Sequence, residues 1–261
     1  MRPKIPLAYT RDSLKMIVEN LVASSLIENV GAIRHSILQQ IALIVNKFLP
    51  DSDLQWAKDL LLTSPAGLLK ESNISIASIR TSLWISKALI LRLTSIEEIL
   101  NELLGLITNK EFGHDLALGF RLILGEDEIL SKENGANIRL LAKQKVFTFF
   151  IPAMARSFRD AEATVKSNYL VALSGVLRYV STEILRIEIV TLLPLLLQSL
   201  DLDNQDVKST TIETLRVVCQ ESPKAIEEHV ASLVGRLLNA AASPNINSAA
   251  SLFNHASEIF S

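Results

Sequence analysis

Apolar residues recur along nearly the whole chain at gaps of three and four. From Val165 they fall at Tyr169, Leu170, Leu173, Val176, Leu177 and Val180, one stripe of a 3.6-residue helix. Polar clusters rich in turn formers interrupt the pattern at Pro50-Asp51-Ser52-Asp53, Thr63-Ser64-Pro65, Glu71-Ser72-Asn73, Gly125-Glu126-Asp127, Glu133-Asn134-Gly135, Asp201 to Asp206 and Glu221-Ser222-Pro223. The spacing predicts helices over 10–28, 31–48, 51–63, 74–93, 95–108, 111–124, 136–159 (broken near Thr148), 163–179, 182–200, 205–220, 223–241 and 246–260. Short connections between amphipathic helices make sequential neighbours antiparallel.

The pattern also repeats. Pro152 lies 42 residues before Pro194, and Val165-Lys166 lies 42 before Val207-Lys208. The same offset carries Leu170 onto Ile212, Leu173 onto Leu215 and Val176 onto Val218. Upstream, Ile33-Arg34 and Ile79-Arg80 open helices in the same phase, followed by Leu38 and Ile41 in one case and Trp84 in the other. A period near 42, built as two helices with a proline in the first, matches the HEAT class of repeat. The predicted fold is therefore all-α: an α-solenoid of antiparallel helix hairpins of HEAT/armadillo-like type. Residues 1–9 form an N-terminal tail, 10–242 the solenoid, and 243–261 an atypical or truncated terminal helix. Each hairpin covers its apolar stripe by stacking on the next. In every Val-Lys or Ile-Arg pair the apolar member is expected inside and the basic member outside.

Composition narrows the class. Hydrophobic residues make up 49% of the 261, with only 9 Gly and 8 Pro, too few turn formers for a sandwich or propeller. A net charge of −2, from 26 Lys+Arg against 28 Asp+Glu, gives no global field toward a phosphate backbone. Direct nucleic-acid binding is not expected. One cysteine, Cys219, makes no internal disulfide and points to a reducing compartment. The start, Met1-Arg2-Pro3-Lys4-Ile5-Pro6, lacks the apolar core of a secretory signal. The most apolar run, Ile189 to Leu197, is far short of the ~18 residues that a membrane span needs. These features predict a cytoplasmic and nuclear protein with no membrane partner.

No catalytic pattern emerges. His35, His114, His229 and His255 lie on different predicted helices, without metal-ligand spacing. Cys219 reads as a structural thiol. Glu97-Glu98 and Glu227-Glu228 occupy first helical turns, where carboxylates favour the dipole. Neither glycine-rich phosphate-binding pattern occurs, so no cofactor, metal or small-molecule substrate is expected. The feature with functional promise is a ladder of basic residues, Arg34, Arg80, Arg139, Lys166 and Lys208, with Lys143 and Lys145 beside Arg139. It reads either as a solvated face or as a surface that grips an acidic partner.

Several segments resemble the C-terminal HEAT region of the MMS-nineteen family, named for methyl-methanesulfonate sensitivity. Val165-Lys166-Ser167-Asn168-Tyr169-Leu170-Val171-Ala172-Leu173-Ser174-Gly175-Val176-Leu177 is close to that family's VKxNYLxxLSxVL pattern. Arg139 with Lys143-Gln144-Lys145, Phe147-Thr148 and Pro152-Ala153 resembles a second family run, and Trp84-Ile85-Ser86-Lys87-Ala88-Leu89 with Arg92 a third. Leu103-Leu104-Gly105-Leu106 and Gly119-Phe120 are similar in order and spacing. The likeness covers about residues 76–242.

The resemblance implies a non-enzymatic adaptor of cytosolic iron–sulfur protein assembly. Its implied partners are a WD-repeat propeller subunit, a small scaffold subunit, and apo iron–sulfur client enzymes of DNA replication and repair. Candidate partner-binding residues are Arg139, Lys143, Lys166, Asn168, Tyr169 and Lys208. A HEAT scaffold of nuclear import or of chromosome organisation is the alternative. The end departs from the family pattern: Val207-Lys208 maps onto Ala249-Ala250, and Ser243-Pro244-Asn245 leads into a Ser/Ala-rich stretch. A truncation, an alternative gene model or a short isoform would each read this way.

Overall fold

The computed structural model describes residues 11–63, 67–70, 74–221 and 223–241. The tail over 1–9 and the terminal segment over 243–261 lie outside them. The described residues contain no strand. The helices are α1 (Arg11–Ile27), α2 (Gly31–Leu43), α3 (Leu54–Leu62), α4 (Ile76–Arg92), α5 (Glu97–Leu106), α6 (Gly113–Leu124), α7 (Ala142–Asp160), α8 (Ala163–Leu177), α9 (Thr182–Ser199), α10 (Gln205–Glu221), α11 (Pro223–Ile226) and α12 (Val230–Ala241). A π-helical turn, Ile44–Phe48, extends α2 to the predicted boundary, and a 3-10 turn, Asp51–Asp53, opens α3. The expected helix over 223–241 divides into α11, a 3-10 turn at Glu227–His229, and α12.

The chain forms two compact units. One comprises Met1–Ile99 with Glu126–Ala142, and the other Leu100–Gly125 with Lys143–Ser261. In the first, α1 pairs with α2 and α3 with α4, while α1 and α2 also pack on α4. In the second, α8 lies against α6 on one side and α10 on another, with α9 touching both α8 and α10. The 42-residue period is borne out in the second unit: α8 opens at Ala163 and α10 at Gln205. Val165, Leu170, Leu173 and Val176 are buried, as are Val207, Ile212, Leu215 and Val218. Pro194 lies on an exposed face of α9. The carbonyls that Pro152 and Pro194 leave without an N–H belong to Thr148 and Val190, both exposed residues. Water can serve a carbonyl on the outer face, which is why proline is tolerated there.

Each unit is organised around one helix buried on nearly every side. In α4 every residue from Ser78 to Leu91 except Arg80 is buried, and in α8 every residue from Asn168 to Leu177. The stripe expected on α8 is thus a full jacket, the pattern of a helix with neighbours all round. Small residues permit this. A Cβ added to Gly175 of α8 would come within 2.9 Å of the Arg121 backbone nitrogen on α6. Gly175→Val is therefore expected to lower unfolding free energy by about 1–3 kcal/mol, measured by urea titration. An unchanged midpoint would mean that α6 yields freely.

Two expectations fail locally. The helix predicted over 136–159 starts at Ala142 and runs unbroken through Thr148, whose hydroxyl donates to Gln144 O at 3.0 Å. Residues 137–139 do not join it because their amides are engaged elsewhere: Asn137 N–H donates to Asn46 Oδ1 at 2.8 Å and Arg139 N–H to Leu91 O at 2.8 Å. Leu141 closes the approach with a φ of 67°. Ile33, expected inside, is half exposed; α2 turns Leu38, Ile41 and Ala42 inward instead.

Candidate functional site

The basic residues singled out by spacing have different fates. In the first unit Arg34 turns back on α1, donating from Nε to Ser25 O at 3.2 Å and from Nη2 to Glu28 O. Arg139, exposed, donates to Arg92 O at 3.2 Å. Arg92 donates to Val45, Asn46 and Leu49 carbonyls at 3.1, 2.9 and 2.7 Å and pairs with Asp51. These guanidiniums satisfy carbonyls that helix ends leave open and complement the negative pole of the dipole. Arg236 repeats the device in the second unit, on Leu197 O at 3.0 Å beside Asp201. Arg80 is exposed.

In the second unit Lys143 is exposed, with its ammonium 5.8 Å from the Tyr179 ring centre. Lys166 is half-buried, 5.0 Å from the Phe158 ring centre. Lys208 was expected to face outward, but the residue is only 6% exposed. The repeat phase places its backbone on α10 as expected, but α10 packs against both α8 and α9 and the residue is buried there.

Asn168 and Tyr169 are core residues, 9% and 2% exposed. Asn168 Nδ2 donates to Ile107 O at 3.1 Å, satisfying a carbonyl beyond the end of α5. The Tyr169 ring meets Phe158 edge-on at 6.5 Å between centres. Burial pushes its phenol pKa up, against a hydrogen bond with Ser157. The motif that carries the family likeness most specifically is therefore the interior of the second unit. Cys219 is half-buried, and burial raises its thiol pKa, the opposite of nucleophile activation. Among the described residues no group of His, Cys, Asp or Glu is placed to hold a metal ion, and no helix is long and apolar enough to cross a membrane.

Sequence reasoning missed a polar assembly on Glu126–Ala142, the stretch that belongs to the first unit although segments of the second flank it along the chain. Asn46, fully buried, donates from Nδ2 to Ala88 O and Asn137 O, both at 3.1 Å. Asn137 returns Nδ2 to Asn46 O at 2.8 Å. Lys47 Nζ donates to Asn134 O at 2.5 Å. Lys87, buried in α4, pairs with Asp127, whose Oδ1 accepts from Leu130 N–H at 2.7 Å. The Glu133-Asn134-Gly135 cluster was legible as a turn; its partners, far away in sequence, were not.

Helices α8 and α10 in 42-residue register, with helix ends capped by arginines, define an all-α helical-repeat protein. The family model described as "RNAPII transcription regulator C-terminal" (MMS19 C-terminal) matches residues 1–252. The chain belongs to this family. It is 36% identical over 166 residues to the Bos taurus MMS19 nucleotide excision repair protein homolog, covering 63% of this chain and 16% of the relative. Identity to the Mus musculus homolog is 34% over 203 residues, 77% of this chain and 20% of the relative. A Saccharomyces cerevisiae relative, named as the DNA repair/transcription protein MMS19, is 29% identical over 209 residues, 77% and 19%. The chain thus spans a fifth or less of the length of these relatives.

Proposed function

We propose that this chain is a non-enzymatic docking segment of a cytosolic iron–sulfur assembly adaptor, delivering assembly machinery to apo iron–sulfur enzymes of DNA replication and repair. The observation that carries the reading is family membership over residues 1–252, with relatives named for nucleotide excision repair and for DNA repair/transcription. The stacked hairpins offer rigid surfaces, and the exposed cations Arg139 and Lys143, with the half-buried Lys166, are the candidate contacts. Asn168, Tyr169 and Lys208 contribute by holding those surfaces in shape.

The test is retention of the purified WD-repeat and small scaffold subunits by the immobilised full chain. Binding of at least one is expected, with a several-fold loss in Lys143→Glu/Lys166→Glu at unchanged helical signal. A folded chain that retains neither subunit defeats the reading. A second reading, docking to transcription machinery, draws on the family description itself. Copurification of polymerase II components in place of assembly subunits would favour it.

A further inference from the structure

The second unit carries a groove of about 590 Å³ where the ends of α6 and α8, the start of α9 and one face of α10 meet. Its size is that of a ligand pocket. Leu177, Val180, Leu185 and Val217 supply an apolar lining. Charge stands on the walls. The exposed Arg121 makes no ion pair or side-chain hydrogen bond among the described residues. Arg178 has only a distant carboxylate, Asp206 at 3.9 Å, itself largely solvated. Tyr179, another lining residue, has the Lys143 ammonium 5.8 Å from its ring centre.

Two of the acidic groups nearby are already engaged. Glu213 in the lining accepts from Arg216 at 2.6 Å. Glu183 serves the amino end of α9 with hydrogen bonds to its own backbone and to Ser181, which hold its carboxyl below the usual range. Anion recognition therefore falls to the guanidiniums, which grip carboxylates in a bidentate fork. On a chain of net charge −2, this cleft sets two weakly engaged guanidiniums, Arg121 and Arg178, beside an apolar lining.

We propose that this groove docks a linear acidic segment of a partner protein, with carboxylates on Arg121 and Arg178 and a neighbouring aliphatic side chain over Leu185 and Val217. The proposal goes beyond the adaptor reading, because it needs no member of an assembly pathway.

The test is selection of a displayed random dodecapeptide library on the full chain, followed by fluorescence anisotropy of the enriched peptides. Enrichment of sequences that combine Asp or Glu with Leu, Ile or Val is expected. Their affinity should fall at least tenfold in Arg121→Glu/Arg178→Glu, and less in Arg121→Lys/Arg178→Lys. It should also weaken as salt rises. Circular dichroism must show both variants folded; because Arg121 is exposed and Arg178 lies beyond α8, folding is expected. No enrichment, enrichment without an acidic bias, or affinity indifferent to the charge reversal would overturn the proposal. So would a fluorescent oligo-dT that binds the groove where acidic peptides do not.

Discussion

Lys87→Met is expected to lower the unfolding free energy by about 3–5 kcal/mol, the cost of leaving one member of a buried ion pair behind. The stranded partner would be Asp127, whose Oδ2 is buried and has Lys87 as its ion-pair partner. Oδ1 would keep the Leu130 N–H but could not offset the lost countercharge. The double variant Lys87→Met/Asp127→Asn separates charge from shape. It removes both charges and preserves the Leu130 bond, so it should recover most of the loss. Urea titrations of the wild type, both single variants and the double variant make the cycle. A single-variant loss below about 1 kcal/mol, the level of a solvated surface pair, would show that water reaches Asp127 and that the pair is not a structural clamp.

Asn46→Ala is the second large effect, expected at about 2–4 kcal/mol from one buried and two part-buried hydrogen bonds lost together. Substitution leaves Asn137 N–H and the carbonyls of Ala88 and Asn137 without the Asn46 side chain. Asn137 Nδ2 would still reach the residue 46 carbonyl. The loss should be local first. Amides from Asn134 to Arg139 are expected to exchange with deuterium faster than those of α4, and proteolytic cleavage should begin in the same stretch. Uniform acceleration across the unit would instead make Asn46 an ordinary core residue. Asn46→Asp is a useful companion, since it keeps an acceptor for Asn137 N–H but removes both donors.

Much of the fold was legible because helical period, turn chemistry and the 42-residue offset are local or strictly repeated. α8 and α10 begin where the offset requires. Val165 and Val207, predicted inward, are buried. The family likeness was legible too, since Val165 to Leu177 goes beyond what a generic repeat demands. The candidate site was read less well. Spacing places a residue on a helix face, but exposure depends on what else packs there. Lys166 and Lys208 share a phase and yet differ in burial, the first half-buried and the second 6% exposed. Arg34 and Arg139 look alike on a ladder, yet each is committed to a carbonyl near a helix end.

By itself, then, the sequence determined the all-helical class, the repeat phase of α8 and α10, and the family. The class and the phase rest on periodicity that the backbone must obey, and the family on the particular residues of Val165 to Leu177. Tertiary structure alone decided that 137–141 stays out of α7, that α4 and α8 are buried on nearly every side, and which basic side chains stay exposed. Those outcomes turn on packing and on bonds between residues such as Asn46 and Asn137, or Lys87 and Asp127. Their energy exceeds local helix propensity, which amounts to tenths of a kcal/mol per residue, and their pairing leaves no periodic trace in the chain.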